Sequence, residues 1–133
     1  NPNIFDDYSF INYLGNLTNV TLFLQSIDVF IYPSLYREGV PRSILEASAV
    51  GIPSIAYDIP GVRDAIINGS TGYLIQQGDF NLFIKKLHLL IDNHQLRKRL
   101  GLNSRTHVVN NFDMNTIDSL TINIYNNIIL EIS

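Results

Sequence analysis

The stretch Tyr32-Pro33-Ser34-Leu35-Tyr36-Arg37-Glu38-Gly39-Val40-Pro41-Arg42-Ser43-Ile44-Leu45-Glu46-Ala47 carries the transition on which the fold depends. It leaves the β-branched and aromatic run Val29–Tyr32, crosses an irregular segment holding Gly and Pro, and enters a segment with helical spacing. Near-continuous hydrophobicity over Val29–Tyr32 suits a parallel strand covered on both faces. Arg42–Val50 reads as a helix, with Pro41 just inside its start and Gly51 just past its end. A strand, loop and helix in this order put the loop beyond the carboxyl end of a strand, where ligands bind in open α/β sheets.

The residue types in that loop suit an anionic, hydroxyl-rich ligand. The opening turn of a helix presents unpaired N–H groups and the positive end of the macrodipole. Pro41 has no N–H, so the donors are the amides of Gly39, Val40, Arg42 and Ser43. Gly39 also removes the Cβ that would hold a ligand off the backbone. Glu38 and Glu46 frame the segment, and an ionised carboxylate only accepts hydrogen bonds, which suits paired sugar hydroxyls. A second reading stays open at this point, because a glutamate in the opening turns of a helix is favoured by the macrodipole with no ligand at all.

Outward from this segment, short β-branched runs alternate with longer helical patterns. Before it, Phe10–Leu14 reads as a strand ended by Gly15, and Asn19–Ser26 as a short helix with Thr18 or Asn19 as N-cap. After it come a strand over Pro53–Tyr57, a helix from Pro60 to Ile67 stopped by Asn68-Gly69, and a strand over Gly72–Ile75. Phe80–Asp92 is a helix capped by Asp79, and His94–Asn110 is another. Met114–Ile132 is read as a terminal helix, although Leu120, Ile122 and Ile124 also alternate as in a strand, and its apolar positions wrap around more than one face. The whole is α/β with a mainly parallel sheet.

Composition excludes several classes of function. With 133 residues, 46% hydrophobic and a net charge of −3, the chain is one soluble globular domain or less, neither disordered nor a membrane span. Nine Lys plus Arg against twelve Asp plus Glu leave no basic surplus for a duplex, so no nucleic-acid partner is expected. The absence of Cys removes disulfide scaffolds, thiol catalysis and cysteine-ligated zinc. Asn1-Pro2-Asn3 shows neither a basic n-region nor an apolar h-region, so no signal peptide is read. A charged fraction of 16%, below the roughly 25% usual for soluble domains, fits a chain whose surface is partly covered by more protein.

Pro33-Ser34, Glu38-Gly39-Val40-Pro41, Leu45-Glu46-Ala47, Gly51-Ile52-Pro53, Gly61 and Asn68-Gly69-Ser70-Thr71-Gly72-Tyr73-Leu74-Ile75 follow one another in an order that resembles the C-terminal domain of the group 1 retaining glycosyltransferases of the GT-B fold. The resemblance runs from about Phe10 to Phe112. It implies a partial Rossmann-like three-layer sandwich, with a sheet of about four strands, flanking helices and a helical C-terminus. It divides the chain into a nucleotide-sugar-binding part, residues 1–112, and a terminal helix, residues 113–133, that packs on an N-terminal domain. By the same resemblance Glu38 is the catalytic residue: it binds donor-sugar hydroxyls and orients the sugar as positive charge develops at the anomeric carbon. Gly39, Val40, Pro41, Arg42, Ser43 and Leu45 belong to the donor-binding segment, the amides of Gly39, Val40, Arg42 and Ser43 facing sugar and diphosphate. Glu46 hydrogen-bonds the ribose. Neither a cofactor nor an obligatory metal is implied, so cations and helix dipole stabilise the departing diphosphate.

Two departures from the family pattern carry expectations. Asp64 stands in Gly61-Val62-Arg63-Asp64 where the family commonly has Glu. Two β-α units bearing a Gly-rich turn and basic diphosphate ligands, and the acceptor-binding domain, are not found before Phe10. A sheet of order 3-2-1-4-5-6 without its first two strands leaves a central edge bare. The expectation is therefore that Phe10–Leu14 re-pairs against Val29–Tyr32, or that the chain forms a homo-oligomer through the bare edge.

The implied activity is transfer of a sugar from a nucleotide sugar to an acceptor glycan or lipid-linked sugar, with retention, in surface polysaccharide or other glycoconjugate synthesis. The implied setting is cytoplasmic and peripheral at the membrane, and the 133-residue chain alone is expected to be inactive. A nucleotide-sugar epimerase of the same architecture and a non-catalytic assembly domain are the alternatives. Elsewhere, His88, His94 and His107 lack metal-ligand spacing and read as structural. Arg97-Lys98-Arg99 reads as a solvated helix face. Ser34 and Ser43 read as capping or phosphate-contacting hydroxyls, and Asp28 and Asp58 as serving strand ends and turns.

Overall fold

The computed structural model describes residues 8–113. The segment Met114–Ile132 lies outside the described residues. Three strands, β1 (Phe30–Tyr32), β2 (Ser54–Tyr57) and β3 (Gly72–Ile75), form one sheet in the order β1-β2-β3. Both pairings are parallel, with Ile31 opposite Ile55 and Ile55 opposite Tyr73. Helices α1 (Val20–Gln25), α2 (Arg42–Ala49), α3 (Val62–Ala65), α4 (Phe80–Asp92) and α5 (His94–Phe112) complete the order. Parallel neighbours need crossovers, and α2 and α3 supply them.

The period-two alternation of the strands sorts side chains onto two cores. Ala56 packs with Ile44, Ile59, Val62, Ala65 and Ile66, joined by Phe30, Tyr32 and Leu74, beneath α2 and α3. Ile55, Tyr73 and Ile75 pack with Phe83, Leu90 and Leu100 from α4 and α5. Ile44, Ile55, Leu90 and Leu100 are fully buried, each stabilising the fold by roughly 1.5–3 kcal/mol. The architecture is the expected α/β arrangement of helices on both faces of a parallel sheet.

The strand expected over Phe10–Leu14 does not form, so the sheet has three strands among the described residues rather than four. Ile11 N donates to Tyr8 O in a turn, and the segment runs on irregularly, with Phe10, Tyr13 and Leu14 exposed. No re-pairing with β1 occurs. The physical reason is that a strand needs a neighbour for its backbone groups and a layer for its apolar face, and an alternating pentapeptide supplies neither. The third helix is also shorter than the expected Pro60–Ile67, because Gly61 is left-handed and Ile66 extended. N-capping follows the expectation: Asn19 accepts from Leu22 N and Asp79 from Leu82 N.

One backbone contact fixes where α2 sits. A Cβ at Gly101 of α5 would collide with the carbonyl oxygen of Gly51, so these two glycines let α5 lie directly on the end of α2. Ser48 and Ser104 are buried beside this crossing, and Ser104 Oγ donates to Gly101 O at 2.8 Å.

Candidate functional site

The carboxyl ends of β1 and β2 carry the loops that build the site. After Tyr32 the chain turns, and Ser34 Oγ accepts from Tyr36 N at 3.3 Å, a local hydroxyl turn that leads the loop out of the strand. Pro41 is the N-cap of α2 rather than its first helical residue, with φ −66° and ψ 119°. Its carbonyl accepts from Ile44 N and Leu45 N. No side chain caps this end. Among the described residues, the amides of Gly39, Val40, Arg42 and Ser43 find no hydrogen-bond partner. Four donors therefore stand open within five residues, at the positive end of a helix dipole.

The side chains of the predicted segment divide into two groups. Pro41 is buried, and Val40 and Leu45 pack against the core under α2 and α3. These three anchor the segment and leave only backbone for a ligand. Glu38 and Gly39 lie exposed in the loop, Arg42 projects from the first turn of α2, and Ser43 and Glu46 are partly exposed. The Arg42 Nε lies 3.0 Å from Glu46 Oε1, one turn further along the helix. The Glu38 side chain has no partner among the described residues.

A second loop meets the first. Gly61, between β2 and α3, has φ +86°, and a Cβ there would lie 2.5 Å from Gly39 O and 2.7 Å from Glu38 O. Both the left-handed backbone and the close approach require glycine. This contact seats the Glu38-Gly39 peptide against the end of β2. Beside it, Asp58 at the end of β2 pairs with Arg63 of α3. That pair was not singled out from sequence, and its only trace there is an acid and a base five residues apart around a Pro-Gly turn.

Other predicted residues hold the fold. Asn68 Oδ1 accepts from Leu74 N at 3.1 Å, and Thr71 Oγ1 accepts from Ile67 N at 2.8 Å. The Asn68–Ile75 motif thus winds the turn that starts β3, at the amino end of the sheet. The Asp64 carboxylate is exposed, and its carbonyl accepts from His107 Nε2 at 3.0 Å, while Asn111 Nδ2 lies 3.1 Å from His107 Nδ1. Arg97 corrects the expectation of a solvated face. Its side chain is only 16% exposed, and its Nη1 donates to Leu90 O and Ile91 O, closing the end of α4. Lys98 and Arg99 are exposed as expected. Among the described residues, no three His, Asp or Glu side chains cluster as a metal site.

A parallel sheet with helices on both faces defines a Rossmann-like α/β fold, with an open helix N-terminus beyond the carboxyl ends of its strands. The sequence profile of the family described as "Glycosyl transferases group 1" matches residues 4–107, and the chain belongs to that family. It is 33% identical over 109 residues to the capsular polysaccharide biosynthesis glycosyltransferase CapM of Staphylococcus aureus, covering 82% of this chain and 28% of the relative. It is 36% identical over 101 residues to the UDP-Gal:alpha-D-GlcNAc-diphosphoundecaprenol alpha-1,3-galactosyltransferase of Escherichia coli, covering 76% and 26%. The crystal structure of Anabaena HepE in complex with UDP and glucose superposes with a TM-score of 0.82 at 20% identity, over 90% of this chain and 33% of that one. The chain thus spans little more than a quarter of the length of these two curated relatives.

Proposed function

We propose that these residues form the donor-binding portion of an enzyme that transfers a sugar from a nucleotide sugar to an acceptor with retention of configuration. The observation that carries this reading is the open end of α2. Four unpaired amides stand at the positive end of a helix dipole, in a segment framed by the exposed Glu38 and the partly exposed Glu46. Amides and dipole suit the diphosphate, and the carboxylates suit hydroxyls. Glu38 takes hydroxyls of the donor sugar and acts as the catalytic residue. Glu46 takes the ribose, and the peptides from Gly39 to Ser43 face sugar and diphosphate. Charge on the departing diphosphate is met by helix dipole and cations without an obligatory metal.

The names of the two relatives suggest the acceptor class. One is named for capsular polysaccharide synthesis and the other for a diphosphoundecaprenol-linked sugar. A lipid-linked sugar or growing surface glycan is the acceptor that fits both, and it is met by the acceptor-binding domain. No helix of the described residues is long and apolar enough to cross a membrane. A cytoplasmic enzyme, peripheral at the membrane where such an acceptor lies, is the setting proposed.

Titration of a UDP-sugar into the intact protein tests the reading. Saturable binding that falls at least tenfold in Glu46→Ala supports it, whereas binding of no nucleotide sugar overturns it. Product analysis with lipid-linked acceptors then separates transfer from epimerisation.

A further inference from the structure

The ion pair on α2 runs against the rules that stabilise a helix. An acid near the N-terminus and a base one turn later would match the macrodipole, and an acid four residues before a base is the better order for such pairs. Here the order is reversed. Arg42 opens the helix, the first turn holds no acid, and Glu46 follows at the fourth position on. The Arg42 side chain is 90% exposed, and an exposed pair of this kind stabilises a fold little. The uncapped N-terminus gains nothing from a cation placed beside four unpaired amides. Local rules broken without a local gain mark functional positions, and among the described residues the side chain to which Arg42 hydrogen-bonds is the carboxylate proposed to receive the ribose.

We infer that Arg42 is a positioning residue for Glu46. Its Nε holds Oε1 at 3.0 Å, which fixes the Glu46 carboxylate in one orientation and leaves Oε2 open to a ribose hydroxyl. Holding the rotamer beforehand removes part of the ordering cost on binding. The pair also offsets the charge of a carboxylate that must sit close to an anionic diphosphate. This inference rests on the donor-site reading above and adds to it a residue that acts through another.

Titrating UDP and 2′-deoxy-UDP into the intact protein tests it, using wild type, Arg42→Ala, Arg42→Lys and Glu46→Ala. Arg42→Ala should weaken UDP two- to fivefold while leaving 2′-deoxy-UDP unchanged, so that discrimination between them narrows. Arg42→Lys should recover part of the loss, and Arg42→Ala should have no further effect in a Glu46→Ala background. Equal weakening of both nucleotides, or no change in either, overturns the positioning role. The donor-site reading survives that result if Glu46→Ala still abolishes ribose discrimination. A wild type that binds neither nucleotide, or binds both alike with Glu46→Ala silent, overturns the donor-site reading and this inference with it.

Discussion

The two ends of α2 are treated in opposite ways. At the C-terminal end every available device closes the helix. Gly51 takes φ +82°, its N–H donates to Ser48 O, and Ile52 N donates to Ala47 O, which together make a Schellman motif. Arg105 of α5 adds a hydrogen bond from Nη1 to Ala49 O at 2.6 Å, and Gly101 lies against Gly51. At the N-terminal end there is no capping side chain, and four amides have no partner among the described residues. The same helix is thus anchored at the amino end of the sheet and left open at the carboxyl end. The open donors stand at one end of the helix only, the end to which the proposed donor site is assigned.

The contrast can be broken most severely at the closed end. Gly101→Val forces a side chain into the Gly51 carbonyl and should push α5 off α2, at a cost of about 3 kcal/mol or more. For a domain near 100 residues that lowers the melting temperature by more than 10 °C, to be read by circular dichroism. Arg105→Ala removes one charge-assisted bond to a helix carbonyl and should cost about 1 kcal/mol in a denaturant titration, with the midpoint shifted and the slope unchanged. At the open end, Arg42→Ala should change stability by less than about 0.5 kcal/mol in the same titration. A stability loss there comparable to that of Arg105→Ala would make the two ends alike and remove the contrast.

What could be read from sequence was what neighbouring residues dictate. The limits of β3, the carboxyl ends of β1 and β2, which each start one residue later than expected, the Asp79 cap and the Gly51 stop of α2 all follow from apolar period and local turn chemistry. The candidate segment was legible for the same reason, being one continuous strand, loop and helix. The failures involve partners distant in the chain or in a neighbouring turn. Phe10–Leu14 has the composition of a strand, but no strand beside it. Arg97 reads as surface in a run of three bases, yet its guanidinium is directed to carbonyls six and seven residues earlier. That Val40, Pro41 and Leu45 are anchors, while Glu38 lies exposed and Glu46 pairs with Arg42, was not legible either, since that division depends on the position of the sheet beneath them.

The Gly61 contact has a consequence for engineering. Because the Glu38-Gly39 peptide rests on a position that admits no side chain, the two loops form one unit for diversification. A library that randomises residues 36–40 while holding 61 fixed will return mainly loops that keep the same backbone path, and one that also varies 61 will lose most of its members to collision. Under the donor-site proposal, altered donor preference is better sought at side chains projecting from the rim, with Gly61 retained.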